Sequence, residues 1–197
     1  MGNLQASKGY IICDPSLCTG CLTCEAVCSA FKSNSVVRPE LSRIKISVNI
    51  FSGTIDSFIP NPCYQCDDPK CLVACPIDGA LYIDKKTGVR LVNEFLCIGC
   101  GSCVQACGQE FDPPRIMLDK EKNVAIKCDL CNLDPQCTKW CPNGAIRYID
   151  ISDFKKMGKK YIVCFDEFYT KDFGPDFEAF KGNELVYEKL YPKKESK

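Results

Sequence analysis

The sequence predicts an α+β fold in which two similar cysteine-rich units are joined, one inserted into the other, and are followed by a C-terminal arm. Three observations support this prediction. Sixteen of the 18 cysteines fall into four closely spaced groups. The groups alternate between two spacing patterns along the chain, which indicates an internal duplication. Short apolar runs, typical of paired strands, lie beside and between the groups.

Cysteine is the unusual component of this chain of 197 residues, because 18 cysteines make up about 9 % of it, near the level of a cysteine-built scaffold. Lysine plus arginine and aspartate plus glutamate both total 25, so the formal net charge is zero, which argues against nucleic-acid binding. The chain has no histidine. This excludes haem attachment through C-x-x-C-H, Rieske clusters and histidine-based zinc sites.

The state of the cysteines depends on the compartment, since disulfides need an oxidising one. Residues 1–16 contain neither the apolar region of a signal peptide nor a twin-arginine pair. No apolar run approaches the roughly 18 residues of a membrane helix. We therefore expect a cytoplasmic chain without direct membrane insertion, whose reduced cysteines bind metal. A partner subunit with its own export signal would change the expected compartment.

The four cysteine groups are of two kinds. Groups one and three read C-x-x-C-x-x-C-x-x-x-C with glycine before the second cysteine, whereas groups two and four have a longer gap before the third cysteine and proline after the fourth. The longer groups match each other over "CDDPKCLVACPIDGALYID" and "CNLDPQCTKWCPNGAIRYID". In chain order the groups are Cys18, Cys21, Cys24, Cys28; Cys63, Cys66, Cys71, Cys75; Cys97, Cys100, Cys103, Cys107; and Cys128, Cys131, Cys137, Cys141.

Short strands and helices are expected around these groups. Residues 43–51, "RIKISVNIF", alternate between apolar and polar positions and predict a half-buried strand, which "SGTIDSFI" would follow as a hairpin return. Residues 80–92 predict two strands around a Lys-Thr-Gly turn. "IRYIDI" and "YIVCF" are further short apolar runs. We expect a short helix to contain the last cysteine of each group.

The spacing within the groups favours iron–sulfur clusters over zinc. Structural zinc sites use two C-x₂-C pairs separated by a dozen or more residues, and here the first three cysteines of each group are too close together for that pattern. The run C-x₂-C-x₂-C-x₃-C-P is typical of bacterial iron–sulfur proteins. Group three has this spacing, with Gly108 in place of the usual proline. Sixteen thiolates predict four [4Fe-4S] clusters.

The order of the groups resembles a bacterial two-cluster ferredoxin. Residues 63–107 follow its sequence of motif, strand pair and second motif without interruption. Group four ends in "CPNGAIRYID" and group one follows "GYIICDPSL", so joining them end to end gives the same inner hairpin. We infer a second ferredoxin-like unit split by insertion of the first. The expected divisions are a double domain 1–150, containing a split unit 9–35 plus 120–150, an inserted unit 60–110 and a hairpin insertion 40–60, and an extension 151–197.

In a two-cluster ferredoxin the fourth cysteine of each motif ligates the neighbouring cluster. The resemblance therefore implies an exchange of fourth ligands between paired groups. The competing pairing, of group one with two and group three with four, requires a 34-residue gap between Cys28 and Cys63 inside a hairpin. The implied ligand sets are Cys63, Cys66, Cys71, Cys107; Cys97, Cys100, Cys103, Cys75; Cys128, Cys131, Cys137, Cys28; and Cys18, Cys21, Cys24, Cys141.

The four groups in this order resemble the four-cluster ferredoxin-type subunits of molybdenum and tungsten oxidoreductase complexes, including those of dimethylsulfoxide reductase-like, formate dehydrogenase and formate hydrogenlyase-type complexes. Residues 18–46, "CTGCLTCEAVCSAFKSNSVVRPELSRIKI", are similar to the small subunits of aldehyde ferredoxin oxidoreductase-type tungsten enzymes, including class II benzoyl-CoA reductase. The resemblance covers about residues 9–150. Groups one and three depart from the family pattern, because Ser29 and Gly108 stand where proline usually follows the fourth cysteine.

The resemblance implies a non-catalytic redox subunit of an anaerobic oxidoreductase. Such a subunit passes electrons through four [4Fe-4S] clusters between a large catalytic molybdenum or tungsten subunit and an outside donor or acceptor, such as a further electron-transfer protein. The sequence offers no candidate catalytic residue, and "CIGCGSC" is not the glycine pattern of a nucleotide site. Two alternatives stay open, a free-standing polyferredoxin carrier and a zinc-ribbon interaction module.

Other features have ordinary structural interpretations. Cys13 and Cys164 lie in apolar runs and are expected to be small buried side chains. Trp140 is expected to pack over a cluster, with altered ligation or a docking face as alternatives. The lysine runs at 155–160 and 193–197 are expected to be solvated, with electrostatic docking of an acidic partner as the alternative. The aromatic residues between 165 and 180 suit either core cover or an arm packed on a partner.

Overall fold

The structure is a computed structural model that describes residues 4–48 and 58–152. Within these ranges it consists of short α-helices and short strands connected by cysteine-rich loops. The helices are α1 (Thr23–Lys32), α2 (Lys70–Val73), α3 (Ser102–Gly108) and α4 (Gln136–Lys139). The strands are β1 (Gly9–Cys13), β2 (Lys45–Val48), β3 (Phe58–Asn61), β4 (Leu81–Ile83), β5 (Arg90–Val92), β6 (Ile116–Asp119), β7 (Val124–Lys127) and β8 (Ile146–Asp150).

The described strands form four antiparallel pairs, each a two-stranded sheet. β2 pairs with β3, β4 with β5 and β6 with β7, each pair being consecutive along the chain. β1 pairs instead with β8 from the far end of the described chain, so that Gly9 lies opposite Asp150 and Cys13 opposite Ile146. The β1–β8 and β4–β5 pairs are the two inner hairpins expected of ferredoxin-like units, and the α+β fold class is confirmed.

The same order of elements occurs twice along the chain. In residues 9–83 and again in residues 90–150, a strand is followed by a cysteine group with its helix, an antiparallel strand pair, a second cysteine group with its helix, and a final strand. The final strand of each repeat pairs with the first strand of the other repeat. Likewise α1 packs against α4, and α2 packs against α3. Each folded unit therefore combines the end of one repeat with the start of the other.

The helix lengths explain why proline follows the fourth cysteine in only two groups. α1 and α3 continue past that cysteine, so Ser29 and Gly108 lie inside helices, where a proline ring would clash with the preceding turn. α2 and α4 end before the fourth cysteine, so Pro76 and Pro142 lie outside them. The expectation of a helix containing every fourth cysteine is confirmed for groups one and three and is wrong for groups two and four.

The β6–β7 pair is not among the elements that the sequence predicts. Its turn is formed by Asp119, whose carboxylate accepts hydrogen bonds from the backbone N–H groups of Glu121 (2.9 Å) and Lys122 (3.2 Å), and by Asn123, which has a positive φ of 53°. Aspartate and asparagine in these roles are the available sequence signal. The expected boundary at residue 120 falls within this turn. β7 matters for the site because it places two residues beside cysteines.

The interior consists of two apolar clusters. One contains Ile11, Ile44, Leu130 and Ile146, and the other contains Leu81 among its members. Buried cysteines belong to both clusters, so the apolar side chains surround the thiols as well as one another. Burial of this kind contributes about 25 cal/mol per Å² of apolar surface.

The described part of the chain contains no helix with the length and apolarity needed to cross a bilayer. Cys13 is buried in β1, as predicted. The run "YIVCF" with Cys164, the lysine runs, the aromatic residues 165–180 and nearly all of the extension 151–197 lie outside the described residues.

Candidate metal centres

Three cavities are each lined by four of the predicted cysteines. They have similar sizes, about 340, 310 and 330 Å³ for the sites named A, B and D below, and each is partly open to solvent. Every one combines three cysteines of one group with the fourth cysteine of the paired group. Site A comprises Cys75, Cys97, Cys100 and Cys103; site B comprises Cys63, Cys66, Cys71 and Cys107; site D comprises Cys18, Cys21, Cys24 and Cys141.

The four remaining grouped cysteines form site C, which comprises Cys28, Cys128, Cys131 and Cys137. Burial raises the pKa of Cys137 above its usual range, and the nearby thiolates of Cys28 and Cys131 raise it further. Burial likewise raises the pKa of Cys128, with added contributions that include Cys137 and Cys28. Cys28 of group one thus lies among the cysteines of group four. The competing pairing, of group one with two, would place it elsewhere.

The sites form a row in the order A, B, C, D. Thiols of adjacent sites are close enough for the negative charge of one to raise the pKa of the other, although burial is the largest cause of each shift. The two end sites each have an exposed cysteine, Cys100 at site A and Cys21 at site D. The coupled pairs are Cys103 with Cys71 between sites A and B, Cys128 with Cys63 between B and C, and Cys137 with Cys24 between C and D.

The loops between the cysteines adopt left-handed backbone conformations. Gly20 and Gly99, which precede the second cysteine in groups one and three, have φ of 66° and 68°, and a Cβ on Gly99 would overlap the carbonyl oxygen of Asn123. In group four, all of residues 130–133 have positive φ without any glycine. A left-handed conformation costs roughly 1–2 kcal/mol per non-glycine residue, and strain of this kind clusters at functional sites.

Backbone N–H groups point at thiol sulfurs around these sites. The N–H of Ala125 in β7 donates to Cys97 of site A at 3.3 Å, the N–H of Arg115 donates to Cys107 of site B at 3.1 Å, and the N–H of Arg43 donates to Cys28 of site C at 3.3 Å. Such hydrogen bonds stabilise sulfur-bound negative charge and tune the reduction potential of a cluster.

Burial separates the thiols into two classes. It raises the pKa of Cys24 and Cys103 to about 12 and that of Cys107 to about 11, so these thiols must lose protons when they bind iron as thiolates. By contrast, hydrogen bonds from the hydroxyls of Thr23 and Ser102 lower the pKa of the exposed Cys21 and Cys100, respectively. The two end sites therefore have matching exposed thiols at matching positions of the repeat.

The donor set and surroundings of these sites fit a [4Fe-4S] cluster. Each site offers four thiols, which is the ligand number of that cluster, and at sites A, B and D these line a cavity. Within the described residues, no group of three or more cysteine, aspartate or glutamate side chains is spaced to hold a single metal ion. When bound, the clusters would supply one-electron redox chemistry, and the cysteines of each site would hold the iron.

Several polar residues around site B have no signal in the sequence. Gln65 is fully buried, donates from its side-chain amide to the carbonyl of Cys128 (2.7 Å), and accepts from the N–H of Arg90 (2.8 Å). The ammonium of Lys127 donates to the sulfur of Cys63 at 2.8 Å. Burial by itself would lower the pKa of Lys127, but the thiolate charges of Cys63 and Cys71 outweigh it and raise that pKa.

Trp140 has 63 % of its surface exposed. It therefore does not pack into the interior, and its exposure favours the docking-face alternative. Phe95, two residues before Cys97 of site A in the chain, is fully exposed, and Ile98, which lines the cavity of site A, is also exposed. Large exposed apolar side chains thus lie next to both end sites, and clusters of such side chains mark interaction surfaces.

Paired ferredoxin-like units with four-cysteine sites define an iron–sulfur protein of the ferredoxin type. The 4Fe-4S dicluster domain family matches residues 55–151. The chain is 41 % identical over 132 residues to the polyferredoxin-like subunit of aliphatic sulfonate oxidoreductase from Pyrococcus furiosus, covering 67 % of this chain and 70 % of that one. It is 29 % identical over 185 residues to formate hydrogenlyase subunit 2 of Escherichia coli, covering 77 % and 86 %.

Among solved structures, the active-site complex BamBC of benzoyl-CoA reductase with benzoyl-CoA contains a similar chain, with 23 % identity, coverage of 76 % of this chain and 86 % of that one, and a TM-score of 0.41. The sequence matches are sufficient to identify the family of this chain. The chain belongs to the 4Fe-4S dicluster domain family of iron–sulfur electron-transfer subunits.

Proposed function

We propose that this chain conducts electrons through four [4Fe-4S] clusters, held at sites A to D, between a catalytic molybdenum or tungsten oxidoreductase subunit and a second electron carrier. The observation on which the proposal depends is the exchange of fourth cysteines: each site joins three thiols of one group to one thiol of another, as in two-cluster ferredoxins. The inserted and split units, with boundaries near residues 9–35, 60–110 and 120–150, are the proposed carriers of two clusters each.

The row of sites supports the conducting role. Adjacent sites are joined by coupled thiol pairs, so the proposed clusters are neighbours from one end of the row to the other. The exposed thiols of Cys100 and Cys21 lie at opposite ends of this row. Electrons would therefore enter at one end site and leave at the other, passing through the interior sites B and C, which have no exposed cysteine.

The end sites also have the surface character that partner docking requires. Phe95 and Ile98 are exposed beside site A, and Leu22 and Trp140 are exposed beside site D. An apolar contact at each end would exclude water and bring a partner's redox centre close to the terminal cluster. The choice of a molybdenum or tungsten partner depends on the resemblance of residues 18–46 and on the oxidoreductase subunits among the relatives.

The test is anaerobic purification of the affinity-tagged chain from its native cells. We expect a large subunit to co-purify in a fixed ratio and to contain molybdenum or tungsten by elemental analysis, and we expect the clusters of the small subunit to become reduced when that subunit's substrate is supplied. A chain that elutes alone with its clusters intact would contradict the subunit proposal and would indicate a free polyferredoxin carrier.

A further inference from the structure

Site B differs from the end sites in the charge of its surroundings. Its cavity is lined by Arg90, Arg115 and Lys127, which are 0 %, 5 % and 6 % exposed. Among the described residues that line the cavities of sites A and D, there is no lysine, arginine, aspartate or glutamate. Among the described residues, one carboxylate forms an ion pair with these cations, that of Asp67, whose oxygen lies 3.6 Å from the guanidinium of Arg90.

Two of these cations have donors without hydrogen-bond partners in the described part of the protein. The Nε atoms of Arg90 and Arg115 are both buried and unpaired, although unpaired buried donors destabilise a folded protein. The guanidinium of Arg115 is held in place by the rings of Tyr64 and Phe111, at 5.2 and 5.5 Å. The negative charge of a cluster bound to the four thiols would compensate these fixed positive groups.

The interior neighbour, site C, is closer to charge balance. Arg43 lies beside it, donates from its backbone N–H to Cys28 and has unpaired buried donors of its own, Nε and Nη1. With Lys32 it makes two cations, against three at site B, and both face the carboxylate of Asp129, which pairs with Lys32 at 2.6 Å. At site B the ammonium of Lys127 contacts a thiol sulfur directly, at 2.8 Å. The positive field is therefore stronger at site B than at the other three sites.

We propose that Lys127, with Arg90 and Arg115, gives site B the highest reduction potential of the four sites, which makes it the position where the first electron in the row resides. Reduction of a cluster adds one negative charge, and buried cations stabilise that charge strongly because the interior screens weakly. Net charge and hydrogen bonds to the sulfurs are established determinants of cluster potential. This inference depends on the proposed assignment of site B as a cluster site.

The test is an EPR-monitored redox titration of the anaerobically purified full chain. Lys127→Gln removes the charge, and we expect it to lower the highest of the four potentials so that the ratio of reduced to oxidised cluster falls at least tenfold, about 59 mV for a one-electron couple. Lys127→Arg keeps the charge, so its highest potential should stay close to that of the wild-type chain. Lys122→Gln is the matched control, since Lys122 is an exposed lysine on the β6–β7 turn and solvent screens its charge.

A second variant changes the charge beside site B in the opposite direction. Asp67→Asn removes the carboxylate that pairs with Arg90, and we expect it to raise the highest potential, whether or not Lys127→Gln assembles its cluster. This inference would be overturned if all four clusters titrate and the highest potential is unchanged in both variants. It would also be overturned if Lys122→Gln changed that potential equally. Either result would leave the conducting role intact. Fewer than four titrating clusters in the wild-type chain would contradict the cluster assignment itself.

Discussion

Replacing Cys107 with serine is expected to remove the cluster of site B and to leave that of site A in place. Cys107 belongs by sequence to the loop that contains Cys97, Cys100 and Cys103, but it lies in α3 and lines the cavity of site B. A serine hydroxyl is a harder and less acidic ligand than a thiol, so iron at that corner would lose its bond. We expect the EPR spectrum of reduced Cys107→Ser to lack one of four cluster signals.

The comparison that gives this result its meaning uses two further serine variants. Cys71→Ser should remove the same signal as Cys107→Ser, because both residues line site B. Cys103→Ser, only four residues from Cys107 and in the same helix, should remove a different signal, that of site A. If Cys107→Ser matched Cys103→Ser instead, the fourth cysteine would serve the cluster of its own loop, and the exchange of ligands would be wrong.

Replacing Gln65 with leucine is expected to destabilise the protein with all sixteen proposed ligands intact. The side chain is fully buried and joins the surroundings of sites B and C, bonding both to the Cys128 carbonyl and to the Arg90 N–H. Leucine has a similar volume but leaves both groups unpaired, at roughly 1–3 kcal/mol each. In a chain of this size we expect loss of the visible cluster absorbance on anaerobic heating to begin on the order of 10 °C lower.

Gln105→Leu provides the matched control, because Gln105 undergoes the same chemical change on the exposed side of α3. Its expected effect on the melting temperature is small, since surface substitutions usually change stability by less than about 0.5 kcal/mol. If the melting temperature fell equally in the two variants, the buried hydrogen bonds of Gln65 would add no stability. The contact between the two units would then depend on apolar packing alone.

The cysteine spacing predicted more of this protein than any other feature. The four groups, their two kinds and their order, compared with a two-cluster ferredoxin, predicted the β1–β8 and β4–β5 pairs. The β1–β8 pair joins strands from near the two ends of the described chain. The reason is physical: cluster binding requires four thiols around a small volume, so the positions of the thiols restrict the path of the backbone between them. The ligand sets that the resemblance to two-cluster ferredoxins implies are still proposals.

The surroundings of the thiols could not be predicted in the same way. Lys127 immediately precedes Cys128 in the chain, yet its ammonium contacts Cys63, because β7 directs the side chain across to site B. Arg90 and Arg115 come from separate parts of the chain, and only the folded arrangement brings them to the cavity of site B. Gln65 likewise meets the N–H of Arg90 only in the folded protein. The β6–β7 pair that positions Lys127 has strands of only four residues and weak alternation.

The prediction of the helix ends missed a signal that the sequence contains. Proline after the fourth cysteine disfavours a helix at the residue before it, and α2 and α4 both end before that cysteine. Gly108 is consistent with this account, since a side chain there would meet nothing closer than 3.9 Å and the position excludes proline because it is helical.

The central claim, four [4Fe-4S] clusters on one chain, is tested most directly by determining iron and acid-labile sulfide in the anaerobically purified protein. Four cubes predict about sixteen of each per chain. We expect both values to approach that number together, with little bound zinc. About eight of each, or tightly bound zinc in place of iron, would contradict the four-cluster account.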